Sequence, residues 1–288
     1  MKSLRISIVQ YLNTAPLVRG FTHGPLRGKY DLSFTVPSQC AEALRAGNVD
    51  IAIIPAIEVQ RIEKLAVLPE LSIASKQSVR SLLLVCRKPI REMQRVALDR
   101  SSRSTQAMVR ILCRKHWGIS PEFFEAAPDL SAMLEQADAA LLIGDPALQF
   151  SLERSGAQVQ ATPQDLFVYD VVEQWRAFSN LPAVLAVWAA RPEVVSSEVV
   201  RDFQDSLAFG MHQLQEISEE AARELGLPVE GIRQYLRENI DYTLDAENRR
   251  GLQRYFELAA ELGLIPAARP LPIARFEESA ELIAARRS

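Results

Sequence analysis

The stretch that most constrains this chain is Val49-Asp50-Ile51-Ala52-Ile53-Ile54, an almost unbroken apolar run that ends at Pro55. A strand with one wet face alternates polar and apolar residues. A run without that alternation fits a strand covered on both faces, as in a parallel sheet with crossover helices. The residues before it agree. Residues 5–9 read as a first buried strand, and Asn13-Thr14-Ala15-Pro16 supplies turn and capping chemistry for a helix. Residues 30–36 read as a second strand, and Pro37-Ser38 opens a helix through Leu44 that Gly47 can end. The expected opening is β-α-β-α-β.

The pattern returns later in the chain. Residues 41–54 can be laid against residues 131–143: each is an amphipathic helix, an Asp and an apolar strand. Around the second copy lie a strand at 96–98, a helix from about 104 to 115 and a strand near Phe123, which predicts a second, smaller α/β unit. A length of 288 residues accommodates two such units. Residues 81–86 and 183–190 are apolar, run into Arg87-Lys88-Pro89 and Arg191-Pro192, and read as paired crossings between halves. Beyond them Val200, Phe203, Leu207, Met211 and Leu214 form a helical stripe, as do Leu252, Phe256, Ala259 and Leu262. These helices are expected to return to the first half. The predicted fold class is α/β: a two-lobed, type II periplasmic-binding-protein-like fold with two hinge crossings and a helical C-terminal region. One lobe takes residues 1–87 and 190–288, the other residues 88–189, with a ligand cleft between them that closes by hinge motion.

Composition removes several function classes. A formal charge of −3 and a pI near 5.8 offer no global attraction to nucleic acid or anionic lipid, so neither nucleic acid nor a membrane is an expected partner. Cys40, Cys86 and Cys113 are odd in number and widely spaced, as reduced core thiols would be. His23, His116 and His212 are dispersed, with no second ligand at metal spacing, so no metal is expected. The chain contains no G-x-G-x-x-G, no Walker loop and no G-x-S-x-G, which argues against dinucleotides, nucleoside triphosphates and hydrolase nucleophiles. Met1-Lys2-Ser3-Leu4-Arg5 runs straight into the first strand, with no room for a signal peptide, and the expected address is the cytoplasm.

Ligands of open α/β sheets sit outside the carboxyl ends of the strands, so residues just after strands are the candidates. They are Tyr11 and Asn13, Ser38 at a helix start, Pro55, the run Ser101-Ser102-Arg103-Ser104-Thr105, and Gly144 with Asp145. Ser81 stands at the start of a proposed crossing. Hydroxyls and an Arg at a helix start can cradle a carboxylate, because the first turn has unsatisfied N–H groups and a positive partial charge. The alternative is that Ser102 or Ser104 is a plain N-cap and Arg103 a solvated side chain. Asn13 also reads as a turn residue, Ser81 as a satisfied core hydroxyl, and Asp145 as the cap of the following helix.

Gln10-Tyr11-Leu12-Asn13-Thr14-Ala15-Pro16-Leu17 resembles the Y-L-N-x-x-P-L opening of the chorismate dehydratases of the futalosine route to menaquinone. Residues 47–55, Pro128-Asp129-Leu130, residues 137–148, Leu181-Pro182 and residues 186–191 resemble that family in the same order. The likeness spans nearly the whole chain and is weakest beyond Glu193. It implies a carbon–oxygen lyase that removes water from chorismate to give 3-(1-carboxyvinyloxy)benzoate, with Asn13 and Ser81 at family positions for substrate binding and turnover. It also implies that Ser102, Arg103, Ser104 and Thr105 hold a carboxylate. No His or Glu stands out as a base, so the substrate's own enolpyruvyl carboxylate is the expected proton acceptor, and no cofactor is expected. The sequence departs from the family pattern in having Arg100 before the serines and Ser179-Asn180 where Thr-Gly is usual. Tyr169, Asp170 and Trp175 match family positions too, and Trp175 reads as core. Two other readings stay open: a small-anion binding protein of the same architecture, and the sister enzyme that makes 1,4-dihydroxy-6-naphthoate.

Overall fold

A computed structural model describes residues 3–155 and 166–275. The chain first builds β1 (Arg5–Val9), α1 (Ala15–Thr22), β2 (Asp31–Thr35), α2 (Pro37–Arg45), β3 (Ile51–Pro55) and the long β4 (Ala66–Ser75). It then forms β5 (Leu82–Cys86), β6 (Arg95–Asp99), α3 (Ser104–Ile111), β7 (Glu122–Ala126), α4 (Leu130–Gln136), β8 (Ala139–Ile143), α5 (Gly144–Ser155), β9 (Phe167–Asp170) and α6 (Val171–Ser179). It finishes with β10 (Ala183–Ala190), α7 (Ser197–His212), α8 (Leu214–Leu225), α9 (Val229–Gln234), β11 (Asp241–Thr243) and α10 (Ala246–Glu261).

These strands make two sheets, ordered β11-β4-β10-β3-β1-β2 and β7-β6-β8-β5-β9. Each contains a parallel β-α-β-α-β unit, with β1 or β6 in the middle and every residue of β3 and β8 buried. The repeat legible in the sequence is this duplicated unit. An antiparallel strand then caps each one, β10 against β3 and β5 against β8.

That last pairing corrects the division at residues 87/88 and 189/190. β5 and β10 are not crossings: β5 lies wholly in the second sheet between β8 and β9, and β10 wholly in the first between β3 and β4. Buried strands must pair their backbone groups on both sides, and only membership of a sheet does that. The chain therefore passes between sheets at residues 76–81 and 180–182, where Arg80 (φ 61°) and Asn180 (φ 56°) adopt left-handed backbone. Asn tolerates that conformation better than most residues with a side chain.

The predicted helix at 104–115 is α3 followed by a π-helical turn, Leu112–Trp117, ended by Gly118. The α7 stripe is rotated from its expected face. Val200 and Phe203 are buried but Met211 is exposed, and Ser206 and Gly210 take the inner positions. The cause is close approach to α1: a Cβ on Gly210 would lie 2.0 Å from the Pro16 carbonyl. This contact seats α1, and with it the Asn13 turn. One apolar core runs continuously through both sheets, and a smaller cluster covers the outer face of the second. Trp175 lies in that core, its indole N–H donating to the Pro182 carbonyl at 3.1 Å. No helix of the described residues is long and apolar enough to cross a membrane.

Candidate active site

The carboxyl ends of β1, β3, β6 and β8 converge on a cavity of about 60 Å³ lined by Tyr11, Asn13, Pro55, the Ser102 to Thr105 run and Gly144. Ligand pockets usually run from roughly 300 Å³ upward. At this size, and with hydrogen bonds such as Leu12 N to Asp145 Oδ1 bridging it, the cleft is closed in this structure. Ser38, Ser81 and Asp145 are not among the lining residues. Ser38 contributes its backbone N–H, which donates to the Ser101 carbonyl at 3.2 Å across the cleft.

Asn13 sits in the short 3-10 turn Leu12–Thr14 ahead of α1. Its Oδ1 is buried with no hydrogen-bond partner among the described residues, a condition that costs free energy unless another group supplies a donor. Behind it lies Tyr235, whose hydroxyl donates to Ser81 Oγ at 2.9 Å. Burial pushes the Tyr235 phenol up, while Ser81 and Asn13 hydrogen bonds pull the other way. Ser81 ends the segment passing between sheets, and Asp170 holds that segment by accepting from Val79 N at 3.0 Å and Arg80 N at 2.6 Å. The same carboxylate caps α6 through Val172 N and Glu173 N.

The α3 start is arranged differently from a plain capped helix. Arg103 is the N-cap residue and makes no side-chain cap. Ser104 Oγ turns away to accept from Ile57 N at 3.1 Å, and its carbonyl accepts from Tyr255 at 2.9 Å. The uncapped first turn faces the cavity, the geometry that favours an anion. The Arg103 guanidinium, expected to grip a carboxylate of the ligand, is instead paired with Glu42 at 2.6 Å and Glu58 at 3.1 Å. Glu58 is fully buried in the turn after β3 and also binds Arg45 and Arg61. Burying a carboxylate without partners is costly, and Glu58 is met by the nearest guanidiniums, Arg103 among them.

On the opposite wall Gly144 has φ +68°, and a Cβ there would lie 2.7 Å from the Tyr11 ring. Tyr11 in turn reaches Ser101 Oγ at 3.3 Å, and Ser101 is fixed by Asp99 through N and Oγ contacts of 2.9 and 2.7 Å. Asp145 is not the cap it was expected to be: its Oδ1 accepts from Leu12 N at 2.9 Å, across the cleft. Burial pushes its carboxyl up to about 6. The thiols of Cys40, Cys86 and Cys113 are buried and free, and burial pushes them up to about 11, 12 and 12. Among the described residues no group of His, Cys, Asp and Glu could hold a metal ion.

Three residues of this site are not among those the sequence reading singles out. Tyr235 sits 154 positions from Ser81 in an ordinary helical stretch. Glu58 follows a strand end inside an apolar run, a cue that a charge is being buried for a purpose. Asp99 stands two residues before Ser101, the spacing of a side chain that holds a turn.

A family model described as "Menaquinone biosynthesis" matches residues 4–261. The chain belongs to this menaquinone biosynthesis family. A chorismate dehydratase from Thermus thermophilus is 28% identical over 267 residues, which is 89% of this chain and 95% of that protein. Among solved structures, a protein from Archaeoglobus fulgidus superposes with a TM-score of 0.73 at 19% identity, covering 91% of this chain and 98% of its own. The periplasmic aliphatic sulphonate binding protein of Escherichia coli gives a TM-score of 0.64 at 18% identity, covering 97% of this chain and 95% of its own. The family member described here therefore has the periplasmic-binding-protein-like fold that the strand pattern predicts.

Proposed function

We propose that this chain is a chorismate dehydratase, a hydro-lyase that needs no cofactor and forms 3-(1-carboxyvinyloxy)benzoate. The reaction removes a proton from the ring carbon bearing the enolpyruvyl ether and the hydroxyl from the adjacent carbon. That proton completes the departing water, and the ring becomes aromatic. Because aromatisation drives the step, the protein's task is to hold the substrate in a reactive geometry. The enolpyruvyl carboxylate of the substrate takes the proton, Asn13 and Ser81 orient the hydroxyl, and the α3 start receives a carboxylate. Tyr11, Pro55 and Gly144 shape the walls.

The observation that carries this reading is the buried Asn13 Oδ1, without a partner among the described residues, beside an uncapped helix start. Together they suit a ligand with a hydroxyl and a carboxylate. Purified protein incubated with chorismate and followed by ultraviolet absorbance tests it. Wild type should consume chorismate unaided, and Asn13→Ala should lose about 100-fold in turnover. A protein that binds chorismate without consuming it is a binding protein of this fold. Wild-type turnover by Asn13→Ala removes Asn13 from the mechanism.

A further inference from the structure

Building on the dehydratase reading, we infer that Tyr235 is a positioning residue: its hydroxyl makes Ser81 present a donor to the substrate, beside the acceptor Asn13 Oδ1. A phenol has one proton to give, and Tyr235 gives it to Ser81 Oγ at 2.9 Å. Having accepted there, the serine is left with its own proton, free to point at another oxygen. Asn13 Oδ1 is buried and has no partner among the described residues.

That polarity is not intrinsic to the serine, whose hydroxyl rotates to suit its neighbours. Tyr235 removes that freedom. The substrate hydroxyl can donate to Asn13 and accept from Ser81, which holds it as a leaving group beside the ring C–H.

The backbone supports this placement. Tyr235 is fully buried and opens the π-helical turn Tyr235–Asn239 between α9 and β11. Its carbonyl accepts from Ile240 N at 3.3 Å, the widened register that marks such turns and recurs at functional sites. Tyr242, seven positions on in β11, supplies a natural contrast: its hydroxyl is also buried but has no hydrogen-bond partner among the described residues.

The test is a kinetic cycle on the full chain with chorismate. Tyr235→Phe should lower kcat about 10- to 100-fold with KM within about 3-fold, since the shape of the site is kept and only its orientation is lost. Tyr242→Phe should keep wild-type kcat. In a Ser81→Ala background, adding Tyr235→Phe should cost less than about 3-fold more, because the two residues act through one bond. That double variant also reads the coupling if Tyr235→Phe alone leaves Ser81 unpartnered and weakens the fold. Wild-type kcat in Tyr235→Phe, or losses that multiply in the double variant, overturns the inference while the dehydratase reading stands. A wild type that leaves chorismate untouched overturns both.

Discussion

The two strand ends that face each other across the cleft, β3 and β8, grow from nearly the same sequence pattern and finish differently. β3 runs into a 3-10 turn whose Glu58 is fully buried and collects three guanidiniums, including Arg103 from the opposite wall. β8 ends at Gly144, whose missing Cβ leaves room for the Tyr11 ring. One end locks the cleft by charge and the other by shape. The duplicated unit therefore sets the scaffold, while the few residues after each strand decide how that end grips.

The shape lock should be the more fragile. Gly144→Ala meets a left-handed backbone, which costs roughly 1–2 kcal/mol for a residue with a Cβ. It also drives that Cβ to 2.7 Å from the Tyr11 ring, so the ring must shift and its Ser101 contact is lost. We expect about 3–4 kcal/mol of lost stability in urea unfolding and at least a 100-fold fall in chorismate turnover. Gly47→Ala isolates the ring effect: Gly47 has φ +73° and open space around its missing Cβ, so it should lose only the backbone cost. Equal losses in the two variants would show that Tyr11 yields freely.

The charge lock should rank second. Breaking a fully buried ion pair costs about 3–5 kcal/mol, but the guanidiniums around Glu58 remain 27–36% exposed. Glu58→Gln should therefore lose about 2 kcal/mol. Because Arg103 reaches Glu58 from the second half, the closed arrangement weakens with it, and KM for chorismate should rise about 5- to 10-fold. Unaltered KM beside lowered stability would make Glu58 a support of its own lobe only.

How much of this was legible follows the range of each interaction. The duplicated β-α-β-α-β unit was readable because burial on both faces leaves an apolar run that nothing else in the chain mimics. Sheet membership of β5 and β10 was not, since their apolar sequences fit a crossing and a paired strand equally well, and pairing partners lie far away in the chain. Strand ends pointed to Tyr11, Asn13, Pro55, Ser102 and Gly144, because topology places such residues at the cleft. What Arg103 would bind could not be read, for its partners Glu42 and Glu58 lie far away in the chain, in α2 and the turn after β3. Tyr235 was hidden for the same reason: it fills a space that exists only once helices beyond residue 190 fold back.

The smallest expected effect lies at the shape-locked end and brings charge into it. Asp145 follows Gly144 and reaches across to Leu12 N at 2.9 Å, with burial pushing its carboxyl from 3.8 up to about 6. Below about pH 4 both folded and unfolded chains carry the proton. Between about pH 4 and 6 the unfolded chain has lost it while the folded chain keeps it, so the folded state binds more protons and stability falls as pH rises. Asp145 thus adds stability that is fully present below the unfolded pKa and gone once pH has passed about 6. A shift of that size corresponds to at most about 3 kcal/mol. Asp145 also borders an outward-opening pocket of about 470 Å³ beside α1 and α8, so solvent screening brings the expectation to about 1–1.5 kcal/mol. Asp145→Asn keeps an acceptor for Leu12 N and does not titrate. The stability difference between wild type and this variant should then move by that amount between pH 4 and 7, with the variant relatively stronger at pH 7. Asp170, also pushed up to about 6 by burial, is common to both proteins and cancels. A difference that stays flat across this window would mean that Asp145 is ionised throughout, and both ends of the cleft would then be held by charge.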